Sequence, residues 1–165
     1  MQFKVGIGQD SHRFEEKGKS KPLILGGVEI PCELTLMGNS DADVVLHALC
    51  NAISGISGKV ILGPHTDRLC EQGITDSAVY VREALKTLKD YKIAHVAVTI
   101  ECLTPRIVPH IDKMRSRIAE ILDIKIEDVG ITATSGEGLT LFGQGAGVQA
   151  FVLVTAMQEK PVSSI

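Results

Sequence analysis

The chain has no tryptophan, and aromatic residues make up only 4% of its 165 positions. Any recognition of a base or a sugar must therefore use backbone groups and small side chains. No run of about eighteen apolar residues occurs, so nothing reads as a membrane span. The start, Met1-Gln2-Phe3-Lys4-Val5-Gly6-Ile7, alternates like a strand and lacks the apolar core of a signal peptide, and a cytoplasmic location is expected. The four cysteines, Cys32, Cys50, Cys70 and Cys102, include no C-x-x-C pair. In such a setting they read as reduced thiols, with Cys50 and Cys102 as small buried hydrophobes. Basic charge is also lacking. At a net charge of -3 there is no electrostatic footprint for nucleic acid, and a small anionic substrate would need a local cluster of cations or metal. The P-loop ending G-K-[ST], the nucleophile elbow G-x-S-x-G and the dinucleotide fingerprint G-x-G-x-x-G are all missing.

What remains is a globular composition, 44% hydrophobic and 22% charged, long enough for a real core in one domain spanning residues 1–165. Alternation predicts a strand over 3–9 and a second over 23–30, interrupted by Gly26-Gly27. Ser40 has the character of an N-cap, with Asp43 completing a carboxylate version of the capping box, for a helix running to about Ser54. Residues 55–75 are glycine-rich and read as a loop. A helix follows from Asp76-Ser77, a strand over 93–101, a helix near Pro109, and strands over 129–135 and 148–156. This order predicts an α+β fold, an α/β sandwich in which one β-sheet carries its helices on one face.

Three groups of residues carry possible chemistry. Asp10 and His12, two apart in extended chain, point the same way. On the helix after Ser40, Asp43, His47 and Asn51 are spaced four apart and form a polar stripe among apolar neighbours. Together Asp10, His12 and His47 make a two-histidine, one-carboxylate set with an open position, the pattern of a catalytic zinc site. Asp41 and Asp43 are then candidate acceptors for the imidazole N–H groups. The third group is Thr132-Ala133-Thr134-Ser135-Gly136-Glu137-Gly138, where a strand ends in hydroxyls and glycines suited to phosphate. Glu137 there is a candidate ligand for a magnesium carried by that phosphate.

Several blocks resemble the 2-C-methyl-D-erythritol 2,4-cyclodiphosphate synthase family. They are Gly6-Ile7-Gly8-Gln9-Asp10-Ser11-His12-Arg13-Phe14, Leu25-Gly26-Gly27-Val28-Glu29-Ile30-Pro31, Asn39-Ser40-Asp41-Ala42-Asp43-Val44-Val45-Leu46-His47-Ala48, Gly73-Ile74-Thr75-Asp76-Ser77 and Thr104-Pro105-Arg106-Ile107-Val108-Pro109-His110-Ile111, followed by the 132–138 stretch. They run in order from residue 5 to about 156. The resemblance implies that Asp10, His12 and His47 hold Zn2+, one per subunit. It implies that Glu137 holds Mg2+ or Mn2+ on the substrate diphosphate. Cys102, Pro105, Arg106, Ile107, Val108, Ala133, Thr134 and Ser135 would form the cytidine and diphosphate pocket, with Asp67 also on the substrate and Asn39, Ser40, Thr134 and Ser135 at the reacting centre. It further implies a homotrimer with each site between subunits, acting on a cytidine diphosphate substrate and releasing CMP.

The chain departs from the family pattern where Asn39 replaces a histidine, where Asn51 replaces an aspartate, in a shortened 55–67 loop, and at Gln144 and Ala146 within Gly143 to Gly147. These departures touch the erythritol side of the substrate and leave the metal set intact. Two other functions stand beside the cyclase: a trimeric metal-containing binding protein that has lost turnover, and a zinc phosphoesterase with Glu137 activating water.

Overall fold

A computed structural model describes residues 2–15 and 21–158. In chain order the elements are β1 (Phe3–Arg13), β2 (Leu23–Leu25), β3 (Val28–Ile30), α1 (Val44–Ser57), α2 (Pro64–Glu71), α3 (Ser77–Leu85), β4 (Tyr91–Glu101), α4 (Ile111–Leu122), β5 (Val129–Thr134) and β6 (Gly147–Gln158). Four strands form one sheet in the order β1-β6-β4-β5. The β1–β6 and β4–β6 pairs are antiparallel, and β4–β5 is parallel. A parallel pair needs a crossover, which the stretch containing α4 supplies.

The period of two along each strand separates the two faces of this sheet. On β6, Val148, Ala150, Val152, Val154 and Ala156 are buried, while Phe151 and Leu153 are exposed. On β1 the inward series is Gly6, Gly8, Asp10 and His12. The two glycines are a steric requirement of the packing against α1. A Cβ on Gly6 would lie 2.1 Å from the Ala52 carbonyl oxygen, and one on Gly8 2.0 Å from that of Ala48. The helix therefore rests directly on the strand backbone, and the next two inward residues of β1 meet α1 with polar side chains. Among the described residues nothing covers the opposite face of the sheet, which carries Val5, Ile7, Phe151 and Leu153 exposed.

The expected arrangement, one sheet with helices on one face, matches what the chain forms, with three local differences. Residues 23–30 are not one strand. Gly26 and Gly27 both adopt positive φ, +60° and +73°, which makes a tight turn between two short strands. The helix after Ser40 begins later than expected, because Ala42 is in the left-handed region (φ 56°) and only Asp43 caps it. The 55–75 stretch is not all loop. Pro64 starts α2, and Thr66 Oγ1 both accepts from Gly63 N and donates to Gly63 O at 3.0 Å. Among the described residues, no helix is long and apolar enough to cross a membrane.

Candidate functional site

Asp10 and His12 stand at the end of β1, and His47 on α1 faces them. Asp10 Oδ2 lies 3.0 Å from both His12 Nε2 and His47 Nδ1, and the two ring nitrogens are 3.3 Å apart. The far nitrogens fix the tautomers. His12 Nδ1 is 2.7 Å from the Met37 carbonyl oxygen, which only accepts, so this nitrogen carries the hydrogen. His47 Nε2 is 2.8 Å from Ser77 Oγ. The Ser77 hydroxyl spends its own hydrogen on Asp41 Oδ1, so it accepts from His47. Two imidazole lone pairs and a carboxylate oxygen thus converge on one point. Such a set repels itself unless a proton or a cation lies between its members, and its two imidazole nitrogens and one carboxylate oxygen are donors suited to a divalent metal ion. The three residues form a group that could hold a metal ion.

The electrostatics agree with this geometry. Burial opposes the charge on Asp10, but its pairing with His12 and His47, through contacts that favour a proton on the rings over one on the carboxyl, prevails and holds its carboxyl at about 2, below the usual 3.8. The hydrogen bond to Asp10 raises the His12 pKa above 6.5, against the opposing effect of burial.

This group lines a cleft of about 380 Å³ together with Asn39, Ser40 and Asp67. The missed helix α2 forms its other wall through Thr66, Asp67 and Cys70. Tyr80, with its ring 6.3 Å from that of His47, closes the floor. Of the expected imidazole partners, Asp41 acts at one remove: it accepts from the backbone N and the hydroxyl of Ser77, and Ser77 meets the ring. Asp43 does not serve the histidines at all. Its fully buried carboxylate accepts from Gly26 N (2.9 Å), Gly27 N (2.6 Å), Val45 N and Leu46 N (both 3.0 Å). Burial pushes this carboxyl up to about 6, with Asp41 adding to the rise against the backbone donors. The four-residue spacing that put Asp43 in line with His47 holds within a helix, and Asp43 is the residue before one.

Ser77 and Met37 are the site residues that the sequence does not reveal. Ser77 was legible only as a helix start, and its bond to His47 spans thirty positions. Asn51 turns from the cleft and donates to the Gln9 carbonyl at 3.2 Å, tying α1 to β1.

A second cleft of about 400 Å³ is lined by Cys102, Pro105, Arg106, Ile107, Val108, Ala133, Thr134 and Ser135. Cys102 is buried and its thiol is pushed up to about 11 by that burial, so it lines the cleft as a neutral group. Ser135 is in the right-handed and Gly136 in the left-handed region, and the turn is closed by its own side chains: Gly136 N donates to Thr134 Oγ1 at 3.1 Å and Glu137 N to Ser135 Oγ at 3.5 Å. Glu137 follows, exposed and itself left-handed at φ 48°. The two clefts share no lining residue. Within one chain, Asn39 and Ser40 are therefore separate from Thr134 and Ser135, and Glu137 lines neither cleft.

Comparison with known proteins gives a consistent result. The YgbB family model matches residues 3–157. A protein of Chlamydia muridarum (strain MoPn / Nigg) named 2-C-methyl-D-erythritol 2,4-cyclodiphosphate synthase is 52% identical over 161 residues, covering 96% of this chain and 90% of that one. A solved structure of 2C-methyl-D-erythritol-2,4-cyclodiphosphate synthase superimposes with a TM-score of 0.80 at 30% identity, covering 93% of this chain and 100% of the other. Another, described as the form with CDP bound, gives 0.78 at 27% identity over the same shares.

Proposed function

The chain belongs to the YgbB family, and from that membership we propose that it is a cyclodiphosphate synthase of isoprenoid precursor biosynthesis. It converts 4-diphosphocytidyl-2-C-methyl-D-erythritol 2-phosphate to 2-C-methyl-D-erythritol 2,4-cyclodiphosphate and CMP. The observation that carries the reading is the convergence of His12 Nε2, His47 Nδ1 and Asp10 Oδ2 at the base of an open cleft. Three protein donors with an open side suit catalysis better than structure, since a structural zinc usually takes four protein ligands.

The reaction is an intramolecular phosphoryl transfer. An oxygen of the 2-phosphate forms a bond to the β-phosphorus, and the bond from that phosphorus to the bridging oxygen breaks as CMP departs. The nucleophile is already an anion near neutral pH, so no side chain has to remove a proton. Positioning and charge neutralisation are what the protein must supply. Asp10, His12 and His47 would hold Zn2+, and Glu137 would hold Mg2+ or Mn2+ brought with the diphosphate; when bound, these ions would supply Lewis-acid polarisation of phosphate oxygens. The amide of Asn39 and the hydroxyl of Ser40 donate to the transferring phosphates, and Asp67 accepts from an erythritol hydroxyl. The hydroxyls of Thr134 and Ser135 hold the diphosphate. Backbone groups between Cys102 and Val108 read the cytosine, as a chain poor in aromatics requires.

The working form is a homotrimer in the cytoplasm, with the metal cleft of one subunit facing the nucleotide cleft of its neighbour. Two features support this assembly: the separation of the two clefts within one chain, and the apolar sheet face of Val5, Ile7, Phe151 and Leu153 that needs a cover. Incubation with the cytidyl substrate is the test. Release of CMP with a cyclic diphosphate supports the reading. CMP without the cyclic product points to a phosphoesterase, and no release to a binding protein; either result overturns it.

A further inference from the structure

We infer that Lys21 is a positioning residue for this cleft, its ammonium group clamping the backbone on both sides of Asn39. Lys21 Nζ donates to the Gly38 carbonyl at 2.7 Å and to the Ser40 carbonyl at 2.6 Å. These carbonyls belong to the residues immediately before and after Asn39, whose exposed side chain lines the cleft with Asp10 and His12. The ends of the loop are tied by ordinary backbone bonds, Met37 N to Arg13 O at 2.9 Å and Asp41 N to Thr75 O at 3.0 Å. The middle is tied by the ammonium. Bonds from a charged donor are shorter and stronger than neutral ones, and two of them from one nitrogen fix a distance as well as an anchor.

The loop also bears on the metal group. Met37, one residue before the clamp, supplies the carbonyl that holds His12 in its tautomer. Ser40, whose carbonyl Lys21 holds, has its hydroxyl 3.4 Å from His47 Nε2. Lys21 enters from the side of the loop away from the histidines, in a hollow whose other wall includes Ile24 and Arg117. It touches none of the three candidate ligands: it acts through the backbone it grips and, as a lesser effect, through its charge, which opposes the rise of the His12 pKa. Its site is partly buried, and burial lowers its pKa from 10.5 against the opposing charges of Glu15 and Asp41. A lysine on the surface simply shielding its stem would have no reason to aim at two carbonyls flanking one cleft residue.

The chemical consequence rests on the cyclase reading, because it assumes that Asn39 meets a substrate phosphate; the mechanical one does not. Lys21→Met keeps the stem and removes both bonds. It should lower kcat for cyclic product by about tenfold to a hundredfold, the range expected when a reacting group is displaced by about an ångström. Zinc content and affinity for CDP, which report the metal group and the second cleft, should stay at the parent's level. Lys21→Arg, whose fork can reach both carbonyls, should recover part of the loss. Amide hydrogen exchange over 37–41 should quicken in the Met variant and not elsewhere. The double variant Lys21→Met/Asn39→Leu should be no slower than the worse single one, since the lysine works through that asparagine.

The inference is overturned if Lys21→Met leaves kcat within about twofold of the parent, if the two losses multiply, or if zinc content and melting temperature fall in step with activity. If the parent itself forms no cyclic product, the cyclase reading fails alone. Exchange over 37–41 then still decides the clamp: quickening upholds it and an unchanged rate removes it.

Discussion

The hydroxyl of Ser77 lies 2.8 Å from His47 Nε2 and hands its own hydrogen to Asp41, so it is an acceptor toward the ring. A hydroxyl in that position leaves only one tautomer of His47 comfortable, the one with its Nδ1 lone pair toward Asp10.

Ser77→Ala should therefore loosen the metal group without touching a ligand. Partners at this remove are typically worth tenfold to a hundredfold in metal affinity, and a loss of about that size is expected. Zinc competition with a chromophoric chelator measures it. Ser77→Thr, which keeps the hydroxyl, should recover part of the affinity; equal loss in both variants would mean that packing at this buried position, not the hydrogen bond, is responsible.

Gly8→Ala should part α1 from β1, because its methyl would meet the Ala48 carbonyl oxygen at 2.0 Å. Overpacking of this kind costs about 1–3 kcal/mol, and here the clash is with backbone, which cannot rotate away. Both the melting temperature and the zinc content should fall, since the same contact brings His47 to Asp10. Gly55→Ala on α1 is the contrast. Its nearest neighbour would be 3.7 Å away, and exchange of glycine for alanine inside a helix should stabilise by about 0.5–1 kcal/mol. Calorimetry of the two variants should move in opposite directions.

The metal-free protein should show a pH window set by Asp10 and His12. Asp10 is held at about 2 against 3.8, so its contribution is present above pH 3.8 and is lost as pH falls through 2. The His12 pKa is raised above 6.5, so its contribution is complete below 6.5 and is lost as pH rises through the folded value. Both act together between pH 3.8 and 6.5. The difference in melting temperature between the stripped parent and stripped Asp10→Asn should be largest there and shrink on either side. Zinc loading should run the other way at the upper edge, weakening as acid returns the proton to His12. A flat difference from pH 3 to 9 would detach the shifts from this pair.

Mixing variants tests the division of the site between subunits. His47→Ala has a defective metal cleft and a sound second cleft; Glu137→Ala has the reverse. Each alone should be nearly inactive. Co-refolded in equal amounts, about a quarter of the sites in a three-fold ring should combine two sound halves. Absence of any recovery in verified mixed trimers would place each site within one chain.

Much of this was legible before any coordinates. The alternation on β1 put Asp10 and His12 on one face, and a strand delivers that directly, because its period is fixed by backbone geometry. Helices announced by apolar periodicity and an acidic cap were equally readable, as Asp76 at the start of α3 shows. Three things were not. Helix α2, Pro64-His65-Thr66-Asp67-Arg68-Leu69-Cys70-Glu71, is too polar to display an apolar stripe, and only its proline and Thr66 mark it. Gly26-Gly27 reads equally as a break or a turn until the φ angles are known. Contacts such as Lys21 to Gly38 and Ser77 to His47 join separate elements, and local pattern carries no information about them.

Asp43 takes two hydrogen bonds from the glycine turn between β2 and β3 and two from the first turn of α1. One carboxylate is thus the common terminus of two pieces of chain, and neither can fray without undoing the other. His47 sits one turn further along that same helix, with its N–H on the Asp43 carbonyl. The order of the metal group is consequently inherited from a pair of glycines that touch none of its ligands. A protein engineer altering Gly26 or Gly27 for the sake of the hairpin would find the result in the zinc content, and a survey restricted to residues near the metal would overlook its source.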